Sequence, residues 1–463
     1  MVDVLITSVP LTYSGRVPAA PGLLISMIEK FGFTGAFYDF NIEVKDDDKI
    51  NDLAVKNYVS DFDYIDRLMT FHVKKMLEYK PKYIGISVFT FQCVNVTKSL
   101  CTYIRMMAPE IKIILGGAGL GITGMNSDSW GPWFEERNLC DYWVKSEGEY
   151  AIVDILKGNH KNTGEWNQIM NLDEFPYPNY DSYLWSKYPD DLRWIPITGS
   201  RGCVRRCTFC DIHTHWKKFV WRDGKSIANE MIYQQKKYNN NLFYFTDSLI
   251  NGSMKAYKDF INTLADYNET ADVPIKWGGQ FIYRPANQMP DEIWKQSAKA
   301  GAYRLGVGIE SLSEEAREHM GKKFSNDDIR YGLACQKRYG ITTSFMMIVG
   351  YFTDTDKSIE EQMEFFTELS QDYTETIHAV SLGTTLGILP GTRLDNPKMQ
   401  AEFGVIPGTN ENNWTGPSTL EQRVAWRLKL AKHCKKLGFK MNHDDEQMLN
   451  LTMYIKRDKR ENA

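Results

Sequence analysis

The stretch WIPITGSRGCVRRCTFCDIHTHWKKF, residues 194–219, opens as a short apolar strand and runs directly into Cys203, Cys207 and Cys210, with His213 and His215 close behind. Three chemistries compete for such a triplet. A disulfide pair would leave an odd thiol, and a long chain with no secretion signal keeps its thiols reduced, metal-bound or buried. A closed zinc site could recruit His213 or His215 as a fourth ligand, but structural zinc usually takes two well-separated ligand pairs, and no second pair is evident here. An iron–sulfur cluster takes thiolates as its usual ligands. Three cysteines would hold three irons and leave the fourth open, and an open coordination position is what a catalytic metal site requires.

Outward from this loop, the chain repeats one pattern. Strand candidates are WIPITGS (194–200), NLFYFTD (241–247), PIKWGGQFI (274–282), YRLGVGIE (303–310), TTSFMMIVG (342–350) and HAVSLGTT (378–385), with amphipathic helical patterns between them. Gly301 and Gly340 stand where C-terminal capping glycines belong. Six strand–helix units running the same way predict a partial (β/α)6 barrel of the TIM type over 194–394, with its site at the strand C-termini. The cysteines lie just past the first of these strands.

Residues 1–160 also alternate. DVLITSV (3–9), YIGISVF (83–89) and IKIILGG (111–117) read as strands, and the segments at 22–32 and 95–107 as helices. This predicts parallel βαβ units and a Rossmann-like N-terminal domain. Residues 42–80 are charged and irregular in pattern. Residues 161–193 mix Pro, Asp and aromatics without a period and read as a linker, and 395–463 as a helical C-terminal extension with a charged tail.

The chain has 463 residues, 43% hydrophobic and 25% charged, with a net charge of −4. That balance argues against a dedicated nucleic-acid binder, which carries a basic surplus. No apolar run is long enough to span a bilayer, and the N-terminus shows no basic leader, so the expectation is a cytoplasmic protein.

The spacing C-x3-C-x2-C with Phe209 before the last cysteine, placed after a barrel strand, resembles the signature of the radical S-adenosylmethionine superfamily. FYFTDS, GVGIES, FMMIVGYFTDT and LPGTRL resemble that family's later strand motifs, in order, over roughly 195–395. The resemblance implies a 4Fe–4S cluster on Cys203, Cys207 and Cys210, with S-adenosylmethionine on the open iron and a 5′-deoxyadenosyl radical formed by one-electron reduction. It implies a one-electron donor such as flavodoxin or ferredoxin. By position, Phe209 would pack near the adenine, and Asp247, Glu310 and Ser311 would hold polar groups of the cofactor. Arg284 would meet its carboxylate, and Val349 and Gly350 would line the adenine slot. Asp354 stands for the family's common acid after the fifth strand, while Ser248 replaces a frequent second acid.

The N-terminal segments PAAPGLLISMIEKFG, YIGISVFTF, IKIILGGAG and CDYWVKSEGEYAIVDIL resemble the cobalamin-binding-like domain that precedes the radical module in one subfamily. Ser87, Gly116 and Gly117 match positions that make room for cobalamin there. The family's cobalt-ligating histidine motif is absent, for PLTYSGRVPAAPG (10–22) contains no histidine. The implied activity is cobalamin-dependent methylation of an unactivated carbon. A radical rearrangement or cyclisation is the enzymatic alternative, and a zinc-stabilised binding module the alternative of another class.

Overall fold

The structure, a computed structural model, describes residues 1–10, 16–47, 49–50, 62–120, 130–145, 147–162, 167–383, 386–408 and 414–442. The chain divides into two compact units, Met1–Pro196 and Ile197–Ala463.

The first unit is built on a five-stranded parallel sheet of β1 (Val4–Ser8), β2 (Gly35–Asp39), β3 (Tyr83–Ser87), β4 (Lys112–Gly116) and β5 (Tyr142–Val144), in the order β2-β1-β3-β4-β5. The strands are nearly continuous apolar runs because both faces are covered. Helices α1 (Ala19–Lys30), α2 (Phe62–Leu77), α3 (Val94–Met107) and α4 (Gly148–Leu156) supply the cover. β2 and β5 were not among the expected strands. β2 reads GAFYD, with no β-branched residue to mark it as a strand, and β5 has only three residues, too short for a period to show. Within the irregular 42–80 segment the structure places α2, whose buried stripe is Met69, His72, Val73 and Met76. Its charges occupy the opposite face, which explains the polar composition. Residues 48 and 51–61 of that segment lie outside the described residues.

The aromatic segment before the second unit folds onto the first. Tyr180, Tyr183 and Tyr188 are buried. Tyr183 donates to the Pro18 carbonyl at 2.8 Å, and Tyr188 donates to Asp39 at 2.5 Å.

The second unit contains a six-stranded sheet, β6 (Ile195–Ile197), β9 (Leu242–Phe245), β10 (Lys276–Phe281), β11 (Ala302–Glu310), β12 (Thr342–Met347) and β13 (Ile377–Ser381), in the order β13-β12-β11-β10-β9-β6. Strands β9 to β13 pair in parallel. This is the open, partial barrel that the repeat predicts. The run 194–200 is not one strand. It breaks after Ile197, and Ser200–Arg201 (β7) turns away to pair antiparallel with Val220–Trp221 (β8). The last two residues of the expected strand 378–385, and the charged tail from 443, lie outside the described residues.

Between strands lie α5 (Gly224–Tyr238), α6 (Met254–Asn268), α7 (Asp291–Lys299), α8 (Asn326–Tyr339) and α9 (Asp356–Ser370); α10 (Leu420–Lys436) follows in the C-terminal extension. Their starts are chemically specified. Ser325 with Asp328, Thr355 with Ser358 and Thr419 with Gln422 form reciprocal capping boxes, which satisfy orphan N–H groups of the first turn. No helix among the described residues is long and apolar enough to cross a membrane.

Gly301 and Gly340 follow two of these helices with φ of 88° and 69°. They are not equivalent. A Cβ on Gly301 would lie 1.9 Å from the Ile275 carbonyl oxygen, whereas one on Gly340 meets nothing within 4 Å. Gly340→Ala therefore costs only the left-handed backbone term, about 1 kcal/mol. Gly301→Ala also forces strand β10 to move and costs more than ~2 kcal/mol. Chemical denaturation of the two variants, compared with the parent chain, should show that ranking.

Candidate functional site

The cysteine loop begins where β6 ends, and its neck is held by a buried acid. Asp247, 4% exposed at the end of β9, accepts from the Gly199 N–H at 2.8 Å and from the Ser200 hydroxyl at 2.5 Å. Burial pushes the Asp247 carboxyl up to about 7 against those two hydrogen bonds. Arg222, in a buried ion pair with Glu230 at 2.6 Å, donates to the Thr198 carbonyl at 3.0 Å. The β7–β8 pair then closes the loop as a hairpin. Gly202 sits at the closure with φ of 79°, where a Cβ would come within 2.7 Å of the Lys218 carbonyl oxygen. Only glycine fits there.

Inside the hairpin, Thr208 fastens the loop to the rest of the unit. Its hydroxyl and that of Tyr351 are 2.8 Å apart. Its N–H donates to Met320 at 3.0 Å, and its carbonyl accepts from Leu394 at 3.1 Å. Its neighbour Phe209 packs on a cluster formed by Tyr351, Phe352, Leu394 and Trp414, among others.

The eight cysteines fall into two sets. Cys93, Cys101, Cys140, Cys335 and Cys434 are buried, while Cys203, Cys207 and Cys210 are only partly so. All eight are free thiols, so no disulfide forms. Burial raises the pKa of all three loop thiols, Cys210 up to about 12. The positive charge of Lys322 opposes that rise at Cys203 and Cys207, and the Arg205 N–H points at the Cys203 sulfur at 3.4 Å. Thiolate is the ligating form, so a nearby cation and a backbone donor favour a metal-bound state. His213 is turned away, its Nε2 on the Arg205 carbonyl at 2.5 Å. Among the described residues, no three His, Cys, Asp or Glu side chains converge as ligands of a single ion would. An accessible, all-sulfur donor set of three suits a multi-iron cluster with one open corner.

Lys322 was not anticipated from the sequence. It follows Gly321, the left-handed cap of the helix Glu314–Met320. Its ammonium donates to Glu310 at 2.8 Å and to the Gly308 carbonyl at 3.0 Å, and lies 5.8 Å from the centre of the Phe209 ring. Glu310 holds a φ of 64°, a left-handed conformation unusual for a residue with a side chain. The structure thus joins Phe209, Glu310, Lys322 and the thiols in one neighbourhood. The signal was present only as a Gly-Lys-Lys run, indistinguishable from a solvated turn.

The other expected cofactor residues are placed differently. Asp247 is committed to the loop neck. Ser311 is buried, accepting at its hydroxyl from the Ser313 N–H at 3.1 Å. Arg284 donates to the Asn251 carbonyl at 2.7 Å and to Gln288 at 3.2 Å. Burial and the charge of Arg205 lower its pKa, so it stands near the cysteine loop. Val349 is fully buried. Gly350 and Tyr351 donate their N–H groups to Asp354 at 2.8 and 2.9 Å. That carboxyl is raised by burial to about 6.

The barrel strands also present an inner face that the sequence reading passed over. Phe243, Phe245, Leu305, Val307, Phe345 and Met347 are buried. The alternate set, including Tyr244, Gln280, Gly306, Ser344 and His378, stays partly exposed. Parallel register places Gly306 beside both Gln280 and Ser344. This alternate set mixes polar and aromatic side chains with a glycine, the kind of lining in which a few polar groups orient a ligand.

In the first unit, the crevice of a sheet ordered β2-β1-β3-β4-β5 opens between the C-terminal ends of β1 and β3. Ser87 ends β3 and Gly116 ends β4. A Cβ on Gly116 would meet nothing within 4 Å, so the strand end is open. Gly117, with φ of 107°, is required for a different reason, since a Cβ there would sit 2.5 Å from the Val88 carbonyl oxygen. Residues 11–15 of the histidine-free loop lie outside the described residues.

With this geometry in hand, residues 197–366 match the family model described as the Radical SAM superfamily. The matched span lies within the second unit and takes in the cysteine loop and strands β9 to β12. Two relatives extend the likeness over most of the chain. An uncharacterized methyltransferase of Pyrococcus horikoshii is 26% identical over 343 residues, covering 69% of this chain and 70% of its own. The cytidylyl-2-hydroxyethylphosphonate methyltransferase of Streptomyces wedmorensis is 23% identical, covering 77% and 73%. Among solved structures, the radical S-adenosylmethionine methyltransferase TsrM of Kitasatospora setae, with cobalamin and a 4Fe–4S cluster bound, shares the fold. Its TM-score is 0.64 at 16% identity, over 88% of this chain and 76% of that one.

Asp247 has its folded pKa above the unfolded value of 3.8. The folded state therefore binds the extra proton, and stability falls as pH rises from about 4 to about 7, then levels off. Asp247→Asn removes that contribution. The variant's unfolding temperature, followed across this range, should decline less than that of the parent chain.

Proposed function

We propose that this chain is a cobalamin-dependent radical S-adenosylmethionine methyltransferase acting on an unactivated carbon. The observation that carries the reading is the pinned hairpin at the C-terminal end of β6, which presents three half-exposed thiols beside Lys322 and an open polar barrel face. When bound, the cluster and S-adenosylmethionine supply a hydrogen-abstracting 5′-deoxyadenosyl radical and cobalamin supplies the methyl group.

The protein's own part is positioning and exclusion. Cys203, Cys207 and Cys210 hold the cluster at three corners. Asp247, Gly202 and Thr208 fix where those corners stand. Phe209 gives an apolar wall to the adenosyl moiety, and the Glu310–Lys322 pair presents one acceptor and one cation to its polar groups. The partly exposed strand positions, Gln280 and Ser344 among them, receive the substrate. Ser87 and the open end at Gly116 make room for the corrinoid in the first unit, with no histidine from 10–22 to meet the cobalt. The bases Arg205, Arg206, Lys217 and Lys218 around the loop suit an acidic one-electron donor such as flavodoxin or ferredoxin. The compartment that supplies such a donor and keeps the thiols reduced is the cytoplasm.

Anaerobic reconstitution tests this directly. The parent chain should take up iron and sulfide, retain a corrinoid spectrum and release 5′-deoxyadenosine on reduction. Replacing any one of Cys203, Cys207 or Cys210 by Ala should lower 5′-deoxyadenosine to background while leaving the corrinoid spectrum in place. Zinc without sulfide, or 5′-deoxyadenosine formation surviving the cysteine variants, would overturn the reading.

A further inference from the structure

Helix α10 buries Leu420, Arg423, Trp426, Arg427, Leu430, Ala431 and Cys434. Spaced three and four residues apart, they form one helical face. Two of the seven are arginines, where a packed helix would place aliphatic residues.

The two guanidinium groups are treated differently. Arg423 is fully buried and held through both of its terminal nitrogens. It donates to the Ser418 carbonyl at 3.0 Å and the Trp414 carbonyl at 2.9 Å, and stacks 3.6 Å from the centre of the Trp414 ring. Arg427, one turn on, is 4% exposed. Among the described residues, nothing accepts a hydrogen bond from its Nε or Nη2. A buried guanidinium with unmet donors is strongly disfavoured and persists only where something compensates it. The buried carboxylates among the described residues of this unit are already used: Glu230 by Arg222, Asp247 by the loop neck and Asp354 by Gly350 and Tyr351.

The position connects to the cysteine loop. The Arg423 stem lies where a Cβ on Gly350 would be, at 2.5 Å. Gly350 precedes Tyr351, whose hydroxyl meets Thr208 between Cys207 and Phe209. Arg423 therefore packs just past the C-terminal end of β12, the end of the barrel that carries the thiols, and Arg427 follows it one turn along α10. A planar fork with free donors matches carboxylate, phosphate and phosphonate oxygens.

We infer that Arg427 is the anchoring point for an anionic group of the substrate, a carboxylate or a phosphoryl group, at the C-terminal end of β12. That the anion belongs to a substrate rests on the function proposed above; the anion site itself does not. Its test therefore uses the full chain without cluster reconstitution, so a failure to form 5′-deoxyadenosine leaves the outcome readable.

The measurement is thermal unfolding of the parent chain and Arg427→Met in inorganic phosphate, against chloride at matched ionic strength. In chloride, Arg427→Met should unfold at a higher temperature than the parent, because it replaces an uncompensated buried charge with an apolar chain of similar reach. Phosphate should raise the unfolding temperature of the parent and not of the variant. Equal phosphate shifts in the two proteins, or a variant less stable than the parent in chloride, would overturn the site. Should the methionine variant not fold, Arg427→Lys answers the same question: a phosphate shift smaller than the parent's supports the fork, and an equal one overturns it. Phosphate and S-adenosylmethionine shifts that add support a substrate site. Loss of the phosphate shift under saturating S-adenosylmethionine would overturn the substrate assignment and give the arginine to the cofactor's carboxylate.

Discussion

Asp247 lies almost wholly out of water, yet its two oxygens take the N–H of Gly199 and the hydroxyl of Ser200 at the point where the chain leaves β6. A carboxylate in such a place is disfavoured by desolvation, and two short hydrogen bonds offset part of that cost. The result is a fixed origin for the hairpin that follows. The β7–β8 pair, the crowded neck at Gly202 and the tie from Thr208 to Tyr351 all extend from that origin. Three thiols can be presented with one corner left open only if the backbone carrying them is already held. A loop organised by its metal alone would collapse around it.

The same unit separates structural from chemical groups by exposure. Five cysteines are buried and inert to ligation, while three are reachable. The barrel strands bury one alternate set of side chains and leave a polar, glycine-containing set partly open. The Glu310–Lys322 pair lies where both tendencies meet, mostly buried but beside the thiols. Its left-handed glutamate marks a place where the backbone departs from strand geometry to aim a side chain, as active-site residues often do.

The α10 face shows the converse. A helix that should be an apolar cover carries two arginines inward, one held by carbonyls and a tryptophan, the other with Nε and Nη2 unmet among the described residues.

The sequence by itself determined the parallel α/β architecture, the six-strand repeat of the second unit and the capping glycines Gly301 and Gly340, because these depend on period, spacing and composition over a few neighbouring residues. It missed β5, which is too short to show a period, and β2, whose five residues GAFYD include no β-branched side chain, and it ran β6 on through Ser200, since the turn into β7 leaves no apolar break. Only the tertiary structure decided that Asp247 serves the loop neck, that Gly117 answers to Val88, that Lys322 joins the thiols, and that Arg427 is buried with its Nε and Nη2 unmet among the described residues. Each of those facts is a contact between residues far apart in the chain, and a side chain's charge or hydrogen-bonding capacity says nothing about which distant group the fold will bring to meet it.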